Sequence, residues 1–407
     1  MERLLILADD LTGAVDTGAF PVACGKEVIV YTEANAWQDA GQMQVCVNMG
    51  TRSLPREKAY DLHKIFAENN RDYEGIVIKK LDMGFRGNPA AEIEALLLWG
   101  RWPVCFVLPA LPQFGTFTLY GNQFVKGQIL EKSLYATDPV HRARESSALD
   151  IFQKATRLSV AGIDIDAVKC GRFREVVEKK LEDSCRILIF DAVSDQDCRD
   201  IFSALHRDYP NALWAGTLGL LGGVTKTLYG KGTKKEKEPE NIRCACFCGS
   251  AYQVSREQIA YSEMRGLKVV PLKIDACLKG QEEEELQRVA RACQLANQKQ
   301  NFMVIPHVPQ ELSGKDLPQK ILQILVKCAN EVCSRVFVNR IVIIGGETAG
   351  AIFRSFQVTR LLIQEKPETG VAAGRFLDGI YAEWGFAAKG GSVGTLEALE
   401  KMLGKTQ

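Results

Sequence analysis

Short apolar segments alternate with longer amphipathic ones through most of this chain, and that alternation limits the fold more than any other feature. Strands that alternate with helices favour a parallel sheet covered by helices. We therefore predict an α/β fold. The expected strands are Leu4–Leu7, Val28–Tyr31, Val45–Asn48, Gly75–Lys79, Cys105–Leu108, Ile187–Phe190, Cys244–Cys248, Lys268–Leu272, Phe302–Pro306 and Arg340–Ile344.

A chain of 407 residues is long for one domain. Residues 230–241, GKGTKKEKEPEN, are charged, contain Gly and Pro and have almost no apolar content, which is typical of a linker. We predict two domains, residues 1–230 and 241–407, each a largely parallel sheet flanked by helices. The alternative is a surface loop within one domain. Residues 114–136, rich in Gly, Thr, Phe and Tyr, interrupt the alternation and indicate a β excursion or a long loop beside the site.

Composition excludes several classes of partner. The net charge of +1 gives no reason to expect binding to nucleic acid or to an anionic membrane. No apolar stretch approaches the roughly 20 residues that a membrane span needs, and the first apolar run is too short for a signal peptide. We therefore expect a cytoplasmic protein. Cys244, Cys246 and Cys248 would share one face of a strand, and their spacing favours core packing over a metal site.

Two adjacent carboxylates, Asp9 and Asp10, follow the first strand, and a small-residue segment that can begin a helix comes next. Ligands of open α/β sheets bind at the carboxyl ends of the strands. Two acids there can hold a polyol hydroxyl, a metal ion or a proton in transit. The pattern therefore predicts a small-molecule site and leaves these three roles open.

Further polar side chains follow other strands of the first half. Arg52 lies in the turn after one strand, and the segment after the next strand contains Lys80, Asp82 and Arg86. The cations of that segment can bind a carboxylate, for which Arg offers a bidentate fork. The alternative is a local ion pair among these three side chains.

Three glycine-rich turns mark the second half: Gly249–Ser250, Gly345–Gly346 and Gly390–Gly394. A glycine turn followed by a helix N-terminus suits a phosphate group, and we expect Thr348 to cap such a helix. Each turn could also be a simple connection. Neither a Walker A sequence nor a dinucleotide fingerprint is present, so a nucleotide would bind by another design.

Several segments, in order along nearly the whole chain, resemble the four-carbon acid sugar kinase family, which includes 3-oxo-tetronate and threonate kinases. The opening ILADDLTGAVDTG resembles the family's N-terminal signature, and GGETAGAI is similar to its GG[DE]T motif. The other similar segments are KKLDMGFRGN, LPALPQFGT, FDAVSDQD, AGTLGLLGG, CGSAYQVSREQI and KGGSVG. Met83 and Gly84 stand where the family has Ser and Thr, and Gly115 has no Arg after it. Gly390 and Val393 replace Ser and Phe.

The resemblance implies ATP-dependent phosphorylation of a hydroxyl on a small sugar acid, with the acid in the N-terminal domain and ATP and Mg²⁺ in the C-terminal one. It leaves the metal ligands unassigned and the oligomeric state open, a homodimer being one arrangement. The residues implied at ATP are Ser250, Gly345, Gly346, Glu347, Thr348 and Gly391. Those implied around the acid are Asp9, Asp10, Arg52, Lys80, Asp82 and Arg86.

Phosphoryl transfer demands positioning and charge neutralisation more than covalent chemistry. Asp10 is our first choice for the base that receives the hydroxyl proton, and Asp82 is the second. One alternative is a degenerate kinase that acts as a non-catalytic, ligand-binding sensor, because the Ser-Thr pair and the Arg of the family pattern are missing. A nicotinamide-dependent dehydrogenase is a weaker alternative that rests on the α/β alternation alone.

Overall fold

The computed structural model describes residues 2–37, 39, 41, 44–138, 141–230, 242–298, 300–314 and 316–404. Residues 231–241 of the expected linker lie outside the described residues, so the boundary there stays a prediction. The strands are β1 (Leu4–Ala8), β2 (Val28–Tyr31), β3 (Gln44–Asn48), β4 (Ile76–Lys80), β5 (Cys105–Leu108), β6 (Thr116–Leu119), β7 (Asn122–Val125), β8 (Gln128–Ile129), β9 (Val160–Ile163), β10 (Ile187–Phe190), β11 (Leu213–Gly216), β12 (Cys244–Cys248), β13 (Lys268–Lys273), β14 (Phe302–His307), β15 (Arg340–Ile344), β16 (Arg360–Glu368), β17 (Val371–Phe376) and β18 (Gly385–Lys389).

The helices follow the strands in the alternation that the sequence predicts. They are α1 (Leu11–Ala23), α2 (Arg56–Asn69), α3 (Pro89–Trp99), α4 (Ala148–Gln153), α5 (Ile165–Lys169), α6 (Phe173–Glu182), α7 (Asp195–Leu205), α8 (Leu218–Tyr229), α9 (Gln253–Met264), α10 (Ile274–Ala276), α11 (Glu282–Asn297), α12 (Leu317–Arg335), α13 (Gly346–Ser355) and α14 (Ala398–Met402). No helix among these described elements is both long and apolar enough to cross a membrane.

Contacts divide the chain into two units. The N-terminal unit comprises Met1–Lys26 and Glu33–Lys234, and the C-terminal unit comprises Glu27–Thr32 and Lys235–Gln407. Strand β2 therefore belongs to the C-terminal unit although it lies early in the sequence.

The N-terminal unit contains a sheet with the strand order β3-β1-β4-β11-β5-β10-β9, in which every neighbouring pair is parallel. Strands β1 and β3 are buried at every position, as central strands covered by helices on both faces should be. The register pairs Ala8 with Asn48 on one side and with Lys80 on the other. Three adjacent strands therefore end level with one another, and their following turns lie side by side.

The segment that interrupts the alternation is a β excursion. Strands β6, β7 and β8 form a separate three-stranded antiparallel sheet. Hydrogen bonds tie this sheet to the turn after β4, because Gln123 donates to the carbonyl oxygen of Met83 at 3.1 Å. The excursion therefore lies beside the level ends of β1, β3 and β4.

The sheet of the C-terminal unit has the strand order β13-β14-β12-β15-β18-β17-β16-β2. The pairs from β13 to β18 are parallel, and those from β18 to β2 are antiparallel. Cys248 pairs with Ile344, which pairs with Lys389, so β12, β15 and β18 also end level. The α/β fold with mostly parallel sheets is thus confirmed. The sequence reading missed β9 and β11 in the first half and β16, β17 and β18 in the second.

The cysteine strand lies in the core of the C-terminal unit. Cys244, Cys246 and Cys248 are buried in one cluster with Met303 and Leu399. Their shared face packs against apolar side chains, which confirms the prediction of core packing.

Burial in the N-terminal unit predicts a contrast between two isoleucines that both lie in helices. Ile201 in α7 is 0% exposed, whereas Ile65 in α2 is 53% exposed. We expect Ile201→Ala to lower the free energy of unfolding by about 2–5 kcal/mol, because it removes a buried side chain and leaves a cavity. Ile65→Ala should change it by no more than about 0.5 kcal/mol. Urea denaturation measures both values, and equal losses would contradict the described core.

Candidate functional site

The level ends of β1 and β3 bring Arg52 onto both opening carboxylates. Its Nε and Nη2 donate to Asp9 Oδ2 and Oδ1 at 2.9 and 2.8 Å, which is a bidentate pair. Its Nη1 donates to Asp10 Oδ2 at 2.6 Å. Asp10 is also the N-cap of α1, where its Oδ1 accepts from the Gly13 amide at 2.8 Å. A single guanidinium therefore fixes both acids.

Asp82 and Arg86, after β4, form a second bidentate pair. Arg86 Nε and Nη2 donate to Asp82 Oδ2 and Oδ1 at 3.0 and 2.8 Å. The Gly84 amide donates to the same carboxylate at 2.9 Å. Arg52 Nη2 lies 3.9 Å from Asp82 Oδ1, which connects the two pairs into one cluster. The alternative of a local ion pair is therefore correct for Asp82 and Arg86, while Lys80 takes no part in that pair.

Lys80 is buried among these carboxylates without an ion pair to any of the described residues. Its Nζ donates to the carbonyl oxygen of Leu81 at 2.6 Å. Burial lowers the pKa of the ammonium, and the nearby charges of Asp9 and Asp82 oppose that effect. The side chain thus offers a cation that an anionic or hydroxyl-bearing ligand could use.

Burial and charge act in opposite directions on Asp9 and Asp82, the two most buried carboxylates of this cluster. Burial disfavours ionised Asp82, but the charges of Arg86 and Arg52 outweigh it and hold the pKa of Asp82 far below its usual range. Burial likewise opposes ionisation of Asp9, and the charges of Arg52 and Lys79 still lower its pKa. Both groups are therefore carboxylates at neutral pH.

The segment that follows β8 adds side chains that the sequence reading missed. Arg86 Nη1 lies 3.4 Å from Asp138 Oδ2, and its guanidinium lies 5.4 Å from the centre of the Tyr135 ring. A Cβ on Gly84 would fall 2.7 Å from that ring, so the aromatic side chain occupies the space that a larger residue would need. No local motif marks either residue. Only the interruption of the alternation indicated that this segment mattered.

The three glycine-rich turns meet at the level ends of β12, β15 and β18 in the C-terminal unit. The Gly249 amide donates to the carbonyl of Ile344 at 3.1 Å, and the Gly345 amide donates to that of Lys389 at 3.0 Å. A Cβ on Gly249 would fall 2.0 Å from Thr348 Oγ1. Glycine is therefore required where these turns approach one another.

Ser250 and Gly391 meet at the same place. A Cβ on Gly391 would fall 2.1 Å from Ser250 Oγ. Ser255 Oγ donates to the carbonyl of Gly391 at 2.6 Å and lies 3.1 Å from Ser250 Oγ. Lys389 Nζ donates to the carbonyls of Gly390 and Val393 at 2.8 and 3.0 Å and so holds the last turn closed.

Thr348 does not cap the helix as the sequence reading expected. Helix α13 begins at Gly346, and Gly345 is its N-cap with φ +116°, so Thr348 lies within the first turn. Within the described part of the chain, the N-cap of α13 makes no side-chain hydrogen bond, because glycine has no side chain to accept one. Glycine at the N-cap was the missed signal, because it begins the helix and leaves the first amides to a ligand.

This arrangement fits a nucleoside triphosphate. The uncapped N-terminus of α13 supplies amides and a positive dipole end, and the glycine turns let backbone approach a ligand closely. Mg²⁺ in nucleotide sites is held by one or two carboxylates and by the phosphates themselves. Glu347, in the first turn of α13, is a carboxylate in a position to take that part.

Comparison with known proteins assigns both units to families. A family described as "Sugar-binding N-terminal domain" matches residues 4–224, and one described as "Nucleotide-binding C-terminal domain" matches residues 245–399. The chain belongs to the four-carbon acid sugar kinase family.

Three relatives within the family are similar over nearly their full lengths. A D-threonate kinase of Salmonella typhimurium is 21% identical, covering 97% of this chain and 96% of its own. A D-erythronate kinase of Heliobacterium modesticaldum is 25% identical, and the match covers 98% of this chain and 95% of the relative. A 3-oxo-tetronate kinase of Methylobacterium radiotolerans is 25% identical, covering 90% of each chain.

Solved structures of similar fold support the same architecture. A protein of Salmonella typhimurium LT2 described as a tRNA synthase matches with a TM-score of 0.84 and 20% identity, covering 98% of both chains. A protein of Haemophilus influenzae matches with a TM-score of 0.76 and 19% identity, covering 98% of this chain and 99% of its own. At these identities the likeness concerns the fold alone.

The residues predicted from sequence fall into two groups, one in each unit. The first group is gathered at the ends of β1, β3 and β4 and consists of Asp9, Asp10, Arg52, Lys80, Asp82 and Arg86. The second is gathered at the ends of β12, β15 and β18 and consists of Ser250, Gly345, Gly346, Glu347, Thr348 and Gly391. Their roles in catalysis and binding stay predictions.

The lowered pKa of Asp82 predicts a pH-dependent contribution to stability. A carboxyl whose folded pKa lies below its unfolded value of about 4 stabilises the fold above that pH. The contribution is lost as the pH falls below about 4 toward the folded pKa. Asp82→Asn removes it, so the variant should be less stable than wild type at pH 7, and the difference should shrink toward pH 2. Urea denaturation across that range measures it, and a constant difference would contradict the assigned pKa shift.

Proposed function

We propose that this protein is an ATP-dependent kinase that phosphorylates a hydroxyl of a small, four-carbon-type sugar acid. The observation that carries the proposal is the cluster of interleaved carboxylates and cations at the ends of β1, β3 and β4, in a unit of the sugar-binding family. The similarity to kinases named for threonate, erythronate and 3-oxo-tetronate supports the same substrate class.

Lys80 is our choice for the group that binds the acid's carboxylate. Arg52 and Arg86 already form bidentate pairs with Asp9 and Asp82, whereas Lys80 has no ion pair with a described carboxylate. Arg52 and Arg86 then act as fixed positive charges at the edge of the acid's site. Asp9 is 3% exposed and both its oxygens bind Arg52, so it positions that guanidinium.

Asp10 is better placed than Asp82 to accept the proton. The Asp10 side chain is 26% exposed, against 7% for Asp82, and can therefore reach a bound hydroxyl. Asp82 accepts hydrogen bonds from Arg86 and the Gly84 amide, and its strongly lowered pKa makes it a weak base. Late proton removal in a loose transition state suits a carboxylate such as Asp10. We assign Asp82 to the positioning of Arg86.

The C-terminal unit is proposed to bind ATP at the ends of β12, β15 and β18. ATP would supply the phosphoryl group, and Mg²⁺ would neutralise part of the charge on the phosphates. The first amides of α13 would bind phosphate oxygens, and Glu347 would bind the metal ion. Ser250 and Gly391 shape the turn that faces these amides.

Turnover with a panel of acids tests the proposal. ADP formation should depend on the presence of an acid when D-threonate, D-erythronate and 3-oxo-tetronate are tried together with shorter and longer sugar acids. Acid-dependent ADP release with formation of a phosphorylated acid supports a kinase. Binding of ATP and acid without any turnover across the panel would contradict it and would point to a sensor.

Substitution of Asp10 tests the assigned base. Asn keeps the N-cap hydrogen bond of α1, since Asn and Asp cap helices about equally well. We expect Asp10→Asn to lower kcat about 10²- to 10⁴-fold, the range typical of lost general-base catalysis. Asp164, which caps α5 through a 2.8 Å bond from the Ala167 amide, provides the matched control. Asp164→Asn should leave kcat unchanged, and an active Asp10→Asn enzyme would refute the assignment.

Substitution of Gly391 tests the nucleotide site. Because the new Cβ would fall 2.1 Å from Ser250 Oγ, the serine and its turn must shift. Gly391→Ala should raise the KM for ATP about tenfold, because the shifted turn would cost about one hydrogen bond to a charged phosphate. The KM for the acid should change little. Gly222→Ala is the control, since its nearest neighbour, an atom of Phe20, would lie 3.6 Å away. Equal effects of both variants on the two KM values would argue against an ATP site at this turn.

A further inference from the structure

A fully buried polar network lies behind the side chains proposed to bind the acid, within the N-terminal unit. We call those side chains the acceptor cluster: Asp9, Asp10, Arg52, Lys80, Asp82 and Arg86. Glu92, on α3, is 1% exposed. Its Oε1 accepts from Thr51 Oγ1 at 2.5 Å, and its Oε2 accepts from Lys79 Nζ at 2.9 Å. Thr51 and Lys79 are both 0% exposed. A buried carboxylate is tolerated when it is paired and hydrogen-bonded, and both conditions are met here.

His63 also faces this network but does not compete for Glu92. Its Nδ1 lies 2.9 Å from the carbonyl of Ala59, so the ring proton lies on that nitrogen. Its Nε2 is 4.0 Å from Glu92 Oε2 and has no hydrogen-bond partner among the described residues. Burial lowers the pKa of His63, and the imidazole is neutral. The charge of Glu92 is therefore balanced by Lys79.

Each partner of Glu92 is the chain neighbour of a cluster residue. Thr51 precedes Arg52, and Lys79 precedes Lys80 on β4, where successive side chains point to opposite faces of the sheet. Lys79 also donates to the carbonyl of Lys80 at 3.2 Å. One buried carboxylate thus connects the turn after β3 to the end of β4.

We propose that Glu92 is a positioning residue for the acceptor cluster, which it holds through Thr51 and Lys79. This inference rests on the proposed function, since the cluster is taken to bind the acid. The Thr51 bond fixes the turn that carries Arg52, whose amide donates to the carbonyl of Asp9 at 3.1 Å. The charge of Lys79 helps to keep Asp9 ionised, and Asp9 in turn binds Arg52.

Thr51→Val tests the proposal, because it removes the hydroxyl that binds Glu92 with little change in shape. We expect amide exchange in residues 49–54 to become about tenfold faster and the KM for the acid to rise about tenfold. The KM for ATP should stay within about twofold, because its site lies in the other unit. Thr51→Ser keeps the hydroxyl, so the exchange rate of residues 49–54 and the KM for the acid should both stay near their wild-type values.

Glu94, on the same helix, supplies a matched control. Thr156 Oγ1 donates to Glu94 Oε2 at 2.7 Å. The hydrogen bonds described for Glu94 run to Thr156 and Arg157 and not to the acceptor cluster. Thr156→Val should therefore change neither the exchange of residues 49–54 nor either KM.

The outcomes separate this proposal from the proposed function. If no acid is phosphorylated by the wild type, the proposed function fails, and exchange in residues 49–54 still decides whether Glu92 fixes the Arg52 turn. Unchanged exchange and an unchanged KM for the acid in Thr51→Val overturn the positioning role. If Thr51→Ser changes the exchange and the KM for the acid as much as Thr51→Val does, the positioning role is also overturned, because loss of the hydroxyl would not explain the change.

Discussion

The guanidinium of Arg52 is the contact on which the acceptor side of this protein depends. It binds Asp9 through two hydrogen bonds and Asp10 through a third, and so connects the turns after β1 and β3. Without it, two adjacent carboxylates at a buried strand end would repel each other and lose solvation with no compensation. The same contact leaves Asp10 partly exposed, whereas Asp9 is almost completely buried. One cation thus gives two neighbouring acids different environments.

Pairing of charges extends from this contact into the core. Asp82 is balanced by Arg86, and Glu92 by Lys79, so the buried carboxylates at these strand ends each have a cation. Lys80 breaks the pattern, because its Nζ reaches only a carbonyl oxygen among the described residues. A buried cation without a paired anion is costly in the free protein. An anionic ligand would remove that cost on binding, which is why we favour Lys80 over either arginine as the group that binds the acid.

Sequence alone predicted the strands that position the site and the residues at their ends. The strands β1, β3, β4 and β15 are short apolar runs that end in polar or glycine residues. Because ligands of α/β sheets bind at the carboxyl ends of strands, these runs are enough to predict where the site lies. The sequence could not show in this way which charged side chains pair with one another. Strand alternation places the two lysines of KKLDMGFR on opposite faces, but nothing in that order shows that Lys79 pairs with Glu92 of α3 while Lys80 lies in the cluster. Tyr135 and Asp138 reach the site only because the segment after β8 returns to the turn after β4 through tertiary contacts.

The two units reach their proposed ligands by different physical means. The N-terminal unit is proposed to use side chains, so its specificity can change through single substitutions. The C-terminal unit uses backbone amides at glycine turns, where Gly249 and Gly391 have no room for a side chain. Backbone sites recognise phosphate, which every nucleotide substrate shares, whereas side-chain sites distinguish one acid from another. We therefore propose that the departures at residues 83 and 84 alter which acid the N-terminal unit binds, while the GGET turn of the C-terminal unit keeps its match to the family motif.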